Sequence, residues 1–154
     1  MISAIVAVDN NWGIGFNGEL LEHIPEDMKH FKELTCGHSV VMGSKTWDSL
    51  PKKPLPNRGN VIISRDKPLI VDKNTIRIVL EDAINYLKYI KGDVFIIGGG
   101  TIYNQLLPFC DRVYVTKIYK DHENVDTFFP NLDESKEWTP SAASDIATYN
   151  DISY

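Results

Sequence analysis

The chain has 154 residues, 43% of them apolar and 24% charged, with a formal net charge of −5. That length and balance fit one soluble domain with a real core, and the acidic excess argues against nucleic acid or an anionic membrane as a partner. No apolar run is long enough to span a bilayer. Met1-Ile2-Ser3-Ala4 lacks the features of a secretion signal, and the isolated Cys36 and Cys110 read as reduced thiols, so a cytoplasmic protein is expected. His23, His30, His38 and His122 show no metal-ligand spacing, and no metal site is expected.

The first element is a buried strand over Ile2 to Val8, which runs into Asp9-Asn10-Asn11-Trp12-Gly13-Ile14-Gly15-Phe16-Asn17-Gly18, loop composition throughout. The loop is longer than a plain connection needs and carries three glycines, so it reads either as a mobile lid or as a plain surface excursion. Pro25 opens a helix with Glu26 and Asp27 in its first turn. Met28, Phe31 and Leu34 give it an apolar stripe, and Asp27, at i, i+4 from Phe31, projects beside that stripe. An acid there suits the helix dipole whatever else it does, so a purely structural role stays open.

Ser39 to Met42 is a core strand, followed by Gly43-Ser44-Lys45-Thr46-Trp47 at a helix start. A cation and two hydroxyls suit phosphate, although Ser and Thr also serve as caps. Pro51 to Pro56 is a stiff basic connection and Asn57-Arg58-Gly59 a turn; Asn60 to Arg65 is a third strand with Ser64-Arg65 at its end. Ile76 to Leu80 is a fourth strand, and Glu81 to Ile90 a helix with Ala83, Ile84, Leu87 and Ile90 facing inward.

Val94-Phe95-Ile96-Ile97 runs apolar without alternation, as in a strand buried on both faces. Gly98-Gly99-Gly100 and then Ile102, Gln105, Leu106 and Leu107 at helical spacing complete a strand–glycine–helix unit, which can bring backbone N–H groups close to an anion. It is neither a G-x-G-x-x-G fingerprint, because Tyr103 stands where a glycine is needed, nor a phosphate loop, because Thr101-Ile102 replaces Lys-Ser/Thr. Arg112 to Ile118 is a strand, Asp126 to Pro130 a short extended piece, and Trp138 to Tyr154 extended with turns.

Strands without polarity alternation, interleaved with helices, predict one α/β domain over residues 1–154: three layers, with a central, mostly parallel twisted sheet and helices on both faces. In such sheets ligands sit at the carboxyl ends of the strands. Gly43 to Thr46, Ser64-Arg65 and Gly98 to Thr101 all fall at such ends, which points to a phosphorylated cofactor.

Ile5-Val6-Ala7-Val8-Asp9, Trp12-Gly13-Ile14-Gly15, Ile24-Pro25-Glu26-Asp27-Met28, Val41-Met42-Gly43, Lys45-Thr46-Trp47, Pro54-Leu55-Pro56-Asn57-Arg58, Ile97-Gly98-Gly99-Gly100 and Asp126-Thr127-Phe128-Phe129-Pro130 follow one another in an order that resembles the dihydrofolate reductases of bacterial or phage type. The resemblance implies reduction of 7,8-dihydrofolate to 5,6,7,8-tetrahydrofolate by hydride from NADPH, in a fold that antifolates target and that has an antiparallel C-terminal edge, acting as a monomer. It makes Asp27 the catalytic carboxylate, a side-by-side acceptor for the pterin 2-amino group and N3. Ile5, Val6, Ala7, Met28, Phe31, Leu50, Leu55, Ile97 and Tyr103 would line the substrate site. Arg58 would pair with the glutamate α-carboxylate, and Thr116 would brace Asp27. For NADPH it implies Ala7, the lid residues Ile14, Gly15 and Leu20, the phosphate-binding Gly43, Ser44, Lys45, Thr46, Ser64 and Arg65, and Gly98, Gly99, Gly100, Thr101, Ile102, Tyr103, Gln105 and Thr127, with a cis peptide between the first two glycines.

Three departures stand out. Glu22 replaces the family's usual tryptophan or other uncharged side chain and is expected to face water, because burying an unpaired acid is costly. Ser44 replaces a frequent arginine, and the chain stops at Tyr154, short of the family's usual final edge strand. Two rivals stay open: a related reductase acting on a ribosylated pyrimidine, and a catalytically inactive dinucleotide-binding module. Asp27 followed by Phe31, together with Arg58, favours folate.

Overall fold

The computed structural model describes residues 1–154. The apolar runs form a seven-stranded sheet. In chain order its strands are β1 (Ile2–Val8), β4 (Ser39–Gly43), β5 (Gly59–Ile63), β6 (Leu69–Asp72), β7 (Thr75–Ile78), β8 (Val94–Gly98) and β9 (Arg112–Lys117), and the spatial order is β6-β7-β5-β4-β8-β1-β9. The intervening β2 (Gly13–Phe16) and β3 (Glu19–Leu20) lie outside this sheet. Every pairing in it is parallel except β6 with β7.

Helices α1 (Pro25–Thr35), α2 (Ser44–Ser49), α3 (Leu80–Tyr89) and α4 (Gly100–Leu106) complete the layers. On one face, Val40, Met42, Ile62 and Phe95 pack with Leu34 of α1 and Trp47 of α2. On the other, Val41, Val61, Val94 and Ile96 pack with Ala83 and Leu87 of α3 and Ile102, Tyr103 and Leu106 of α4. Strand alternation sends successive side chains to opposite faces, so both must be covered, and both are.

The α/β class is as the sequence predicts, but the antiparallel edge is at the other side of the sheet. It is β6, joined to β7 by Lys73-Asn74, with Asp72 Oδ1 accepting from Asn74 N–H at 2.7 Å. A two-residue connection can only reverse the chain, so this edge is antiparallel by necessity. The C-terminal residues add no strand to the sheet. Thr148–Tyr149 (β11) and Ile152–Ser153 (β12) pair with each other, and Tyr119 N–H donates to Ser153 C=O.

The segment after β1 is more ordered than its composition suggests. β2 and β3 form a hairpin, and β10 (Thr127–Phe128) pairs with β2 to make a three-stranded sheet. Asn17 and Gly18, both at positive φ, make the turn; Asn-Gly is a two-residue hairpin signal that the loop-like composition conceals. Asp126 holds this hairpin, its N–H donating to Gly15 C=O and its Oδ2 accepting from Asn17 N–H, both at 3.0 Å. The Asn17 N–H and the Thr127 hydroxyl hold the Asp126 carboxyl below its ordinary range.

Candidate active site

Asp27 stands in the first turn of α1, which Pro25 begins at a position where its missing N–H costs nothing. Thr116 lies opposite Ala7 in the β1–β9 register and donates its hydroxyl to Asp27 Oδ1 at 2.5 Å, across 89 residues of sequence. Oδ2 takes no hydrogen bond from the protein. The acid is half-buried and aimed at the sheet, with one oxygen anchored and the other open to a ligand.

Ile5, Leu50, Leu55 and Ile97 gather on the α1–α2 face of the sheet around Met42 and Phe95, and half-buried Phe31 stands on α1. Together with Asp27 they put half-buried apolar side chains and one carboxylate on this side of the sheet, the region called the cleft below. Two expected members differ. Val6 alternates to the opposite face, where its side chain joins the core with Ala4, Val8 and Ile96, so only its backbone is on offer to the cleft. Met28 is 49% exposed, because the apolar stripe of α1 is buried only toward Leu34 and Thr35.

Arg58 is more deeply built in than a surface arginine. It is 7% exposed, with Nε donating to Pro56 C=O at 2.9 Å and one terminal nitrogen donating to Thr35 Oγ1 at 3.0 Å. The Thr35 hydroxyl in turn donates to Phe31 C=O. Burial pulls the guanidinium below its ordinary value, and its remaining N–H groups are left for an anion. Asn60, fully buried, folds the Leu55–Arg58 segment by accepting from Leu55 N–H and donating to Leu55 and Arg58 carbonyls, each at 3.0 Å. Neither Thr35 nor Asn60 stood out in the sequence, where Asn60 reads simply as the start of a strand.

At the carboxyl ends of β4, β5 and β8, adjacent in the sheet, lie Gly43 to Thr46, Ser64-Arg65 and Gly98 to Thr101. The Gly98–Gly99 peptide is cis, and Gly98 has φ +129°, a conformation that side chains disfavour. Cβ atoms at Gly98 and Gly99 would sit 3.5 and 3.6 Å from Thr46 Oγ1, so a threonine hydroxyl overhangs this bare backbone. At Gly100 a Cβ would lie 2.6 Å from Thr127 Cγ2; only glycine lets β10 close on the start of α4. Gly43 itself caps α2 without side-chain help, which leaves Ser44, Lys45 and Thr46 unspent on capping. Ser44, Lys45, Arg65, Thr101 and Gln105 are exposed, and the half-buried Ser64 accepts from Asp66 N–H.

Ile102 is the exception on α4. Its side chain is buried against Gly43, so only its N–H could serve a cofactor. Tyr103 is buried and donates its hydroxyl to Ile5 C=O at 2.7 Å, linking the glycine turn to the apolar cleft; burial pushes the phenol up, so it stays protonated. Of the residues expected to form a lid, Ile14 and Gly15 are buried and Leu20 is half exposed.

Glu22 does not face open water. Its carboxylate meets Lys120 Nζ and His122 Nε2, each at 2.9 Å. Lys120 first, and His122 second, hold it below the usual carboxylate range. The acid is paired, not solvated, and its partners come from the β9–β10 connection, about which local sequence says nothing.

The family model described as dihydrofolate reductase matches residues 1–154. A dihydrofolate reductase of Bacillus subtilis is 39% identical over 135 residues, which is 88% of this chain and 79% of that protein. One from Staphylococcus aureus is 40% identical over 129 residues, 84% of this chain and 77% of that protein. Among solved structures, a dihydrofolate reductase from Enterococcus faecalis complexed with NADP(H) and RAB-propyl superposes with a TM-score of 0.83 at 30% identity, covering 97% of this chain and 88% of that one. With the cleft, the single braced carboxylate and the cis-glycine turn already in place, these matches lead to one conclusion: the chain belongs to the dihydrofolate reductase family.

Proposed function

We propose that the protein reduces 7,8-dihydrofolate to 5,6,7,8-tetrahydrofolate with NADPH, Asp27 anchoring the pterin and promoting protonation of its N5. The observation that carries this reading is the Thr116–Asp27 hydrogen bond, which holds one half-buried carboxylate over an apolar cleft with its second oxygen unpaired. A carboxylate so fixed can accept two N–H groups side by side, as a 2-amino group and ring N3 present them. Its negative charge next to the ring favours the arrival of a proton at N5 by way of water, since no side chain need reach N5 itself. Ile5, Leu50, Leu55, Ile97 and Phe31 exclude bulk water from the ring, which strengthens every polar contact Asp27 makes.

Arg58 binds the glutamate α-carboxylate. Thr35 and Pro56 pre-orient its guanidinium, so little side-chain freedom is lost when a carboxylate arrives.

NADPH, when bound, supplies the hydride. The residues present fit it: Gly98 and Gly99 bare the backbone to a pyrophosphate under Thr46, and Lys45 and Arg65 are exposed cations free to meet phosphate, the 2′-phosphate included. Ile14, Gly15 and Leu20 of the lid close over the nicotinamide. The test is the loss of NADPH absorbance on adding dihydrofolate. Steady decay is the expected result; tight NADPH binding with no decay on substrate would leave only a dinucleotide-binding module.

A further inference from the structure

The end of the sheet away from the glycine turn carries a second gathering of cations and amides. At the amino ends of β4 and β5, His38, Ser39, Asn57, Arg58, Asn74 and Lys91 line a depression of about 250 Å³. None of its eight lining residues is acidic or apolar, although acids outnumber bases 21 to 16 in the chain. Glycine keeps it open, since a Cβ at Gly59 would stand 2.8 Å from Ser39 Oγ.

The donors here are unspent. The side chains of His38, Ser39, Asn57, Asn74 and Lys91 bond to no other residue, and Arg58 keeps N–H groups beyond those given to Pro56 and Thr35. Phe95 sets the His38 ring in place at 5.8 Å between centroids, and His38 Nδ1 lies 3.8 Å from where a Gly92 Cβ would stand, beside Lys91. The negative groups close by are already engaged. Of the last carbonyls of α1, Lys32 C=O accepts from Cys36 N–H and Thr35 C=O from His38 N–H. Among the carboxylates close along the chain, Asp93 meets the Met1 ammonium at 3.6 Å and Asp72 accepts from Asn74 N–H. Two permanent cations, an imidazole, two amides and a hydroxyl, with no carboxylate, repel a metal ion. They suit an oxyanion, which accepts from all of them.

We propose that this depression binds a phosphate-class oxyanion, at the opposite end of the sheet from the residues proposed to take NADPH. Arg58, 7% exposed, is its most buried charge, and it is also the residue proposed above to hold the glutamate carboxylate. The two sites therefore share one cation. An anion in the depression draws on that charge and weakens the hold on the carboxylate, and by reciprocity a bound carboxylate weakens the anion. This coupling rests on the folate reading; the anion site itself does not.

The test titrates inorganic phosphate, and in parallel glycerol phosphate, into the 15N-labelled full chain, with chloride holding ionic strength constant. The backbone amides of His38, Ser39, Gly59 and Asn74 should shift and saturate at about millimolar anion. Saturation by both anions means that the site reads a terminal phosphate group; saturation by inorganic phosphate alone means that it encloses the free ion. Lys91→Gln, at an exposed position, should weaken binding about tenfold, the worth of one charged hydrogen bond. No saturation, equal affinity in Lys91→Gln, the same shifts with chloride alone, or shifts confined to Ser44, Lys45 and Thr46 would overturn the site. At saturating NADPH, phosphate should raise KM for dihydrofolate about fivefold in the wild type with kcat unchanged, and leave Lys91→Gln nearly flat. Equal sensitivity of KM in both proteins would break the coupling. Saturable phosphate binding without any turnover would sink the folate reading alone, so the two failures are distinguishable.

Discussion

The two halves of the cleft are built on different plans. On the side proposed to take the pterin, Asp27 is held by Thr116, Arg58 by Thr35 and Pro56, and the Leu55–Arg58 segment by Asn60. On the side proposed to take the cofactor the shape is fixed by glycine backbone, while Ser44, Lys45 and Arg65 stand exposed. Buried polar groups must be paired or they cost stability, so the pterin side is preorganised before substrate arrives. Exposed cations carry no such requirement and take their geometry from the ligand. Substitutions on the pterin side should therefore cost much more than substitutions of the phosphate-facing cations.

The sharpest break of that contrast is Asp27→Asn. It keeps shape and the Thr116 contact but removes the charge proposed to favour N5 protonation. Turnover at neutral pH should fall about a thousandfold, with partial recovery in acid, where solvent supplies the proton, and with NADPH binding intact by fluorescence titration. Near-normal neutral turnover would remove Asp27 from the mechanism. Thr116→Val tests the brace itself. It conserves volume but leaves Asp27 Oδ1 without its donor, and a hydrogen bond to a charged group is worth about 1.5–3 kcal/mol, so kcat/KM for dihydrofolate should drop roughly thirtyfold. Arg58→Lys keeps the charge but loses the fork that bonds Thr35 and Pro56 together. KM for dihydrofolate should rise about tenfold with kcat little changed, since a point charge recognises a carboxylate less specifically. An unchanged KM would place the glutamate elsewhere.

Legibility in the sequence followed the same division between local and long-range. The strands β1, β4, β5, β8 and β9 were readable because each is a continuous apolar or β-branched run, and the glycine turn because three glycines follow one of them. β6 was passed over. Leu69, Ile70 and Val71 are all exposed on an edge, so no burial pattern accompanies them. The β2–β3 hairpin reads as loop because Gly13, Gly15 and Gly18 dominate its composition, while the Asn17-Gly18 turn that makes it a hairpin is a two-residue signal. Val6 and Ile102 stand beside residues that face the cleft, but strand alternation and helix packing turn their side chains into the core. What sequence could not show are pairings such as Arg58 with Thr35, 23 residues apart, and Glu22 with His122, 100 apart. Such contacts exist only once the fold has brought the segments together.

The smallest expected effect sharpens the cofactor side of the contrast. Arg65 is exposed at the end of β5, and no protein hydrogen bond or ion pair fixes its guanidinium. A solvated cation of this kind contributes about 0–1 kcal/mol to a phosphate contact and is screened by salt. Arg65→Ala should therefore narrow the preference for NADPH over NADH only about three- to fivefold, with fold stability untouched and the difference shrinking further at high ionic strength. Steady-state kcat/KM for the two cofactors, measured at low and high salt, reads this directly. An unchanged ratio would shift the 2′-phosphate contact to Lys45, the other exposed cation on that rim. A hundredfold loss would mean that Arg65 is held as firmly as Arg58, and the two sides of the cleft would then share one plan.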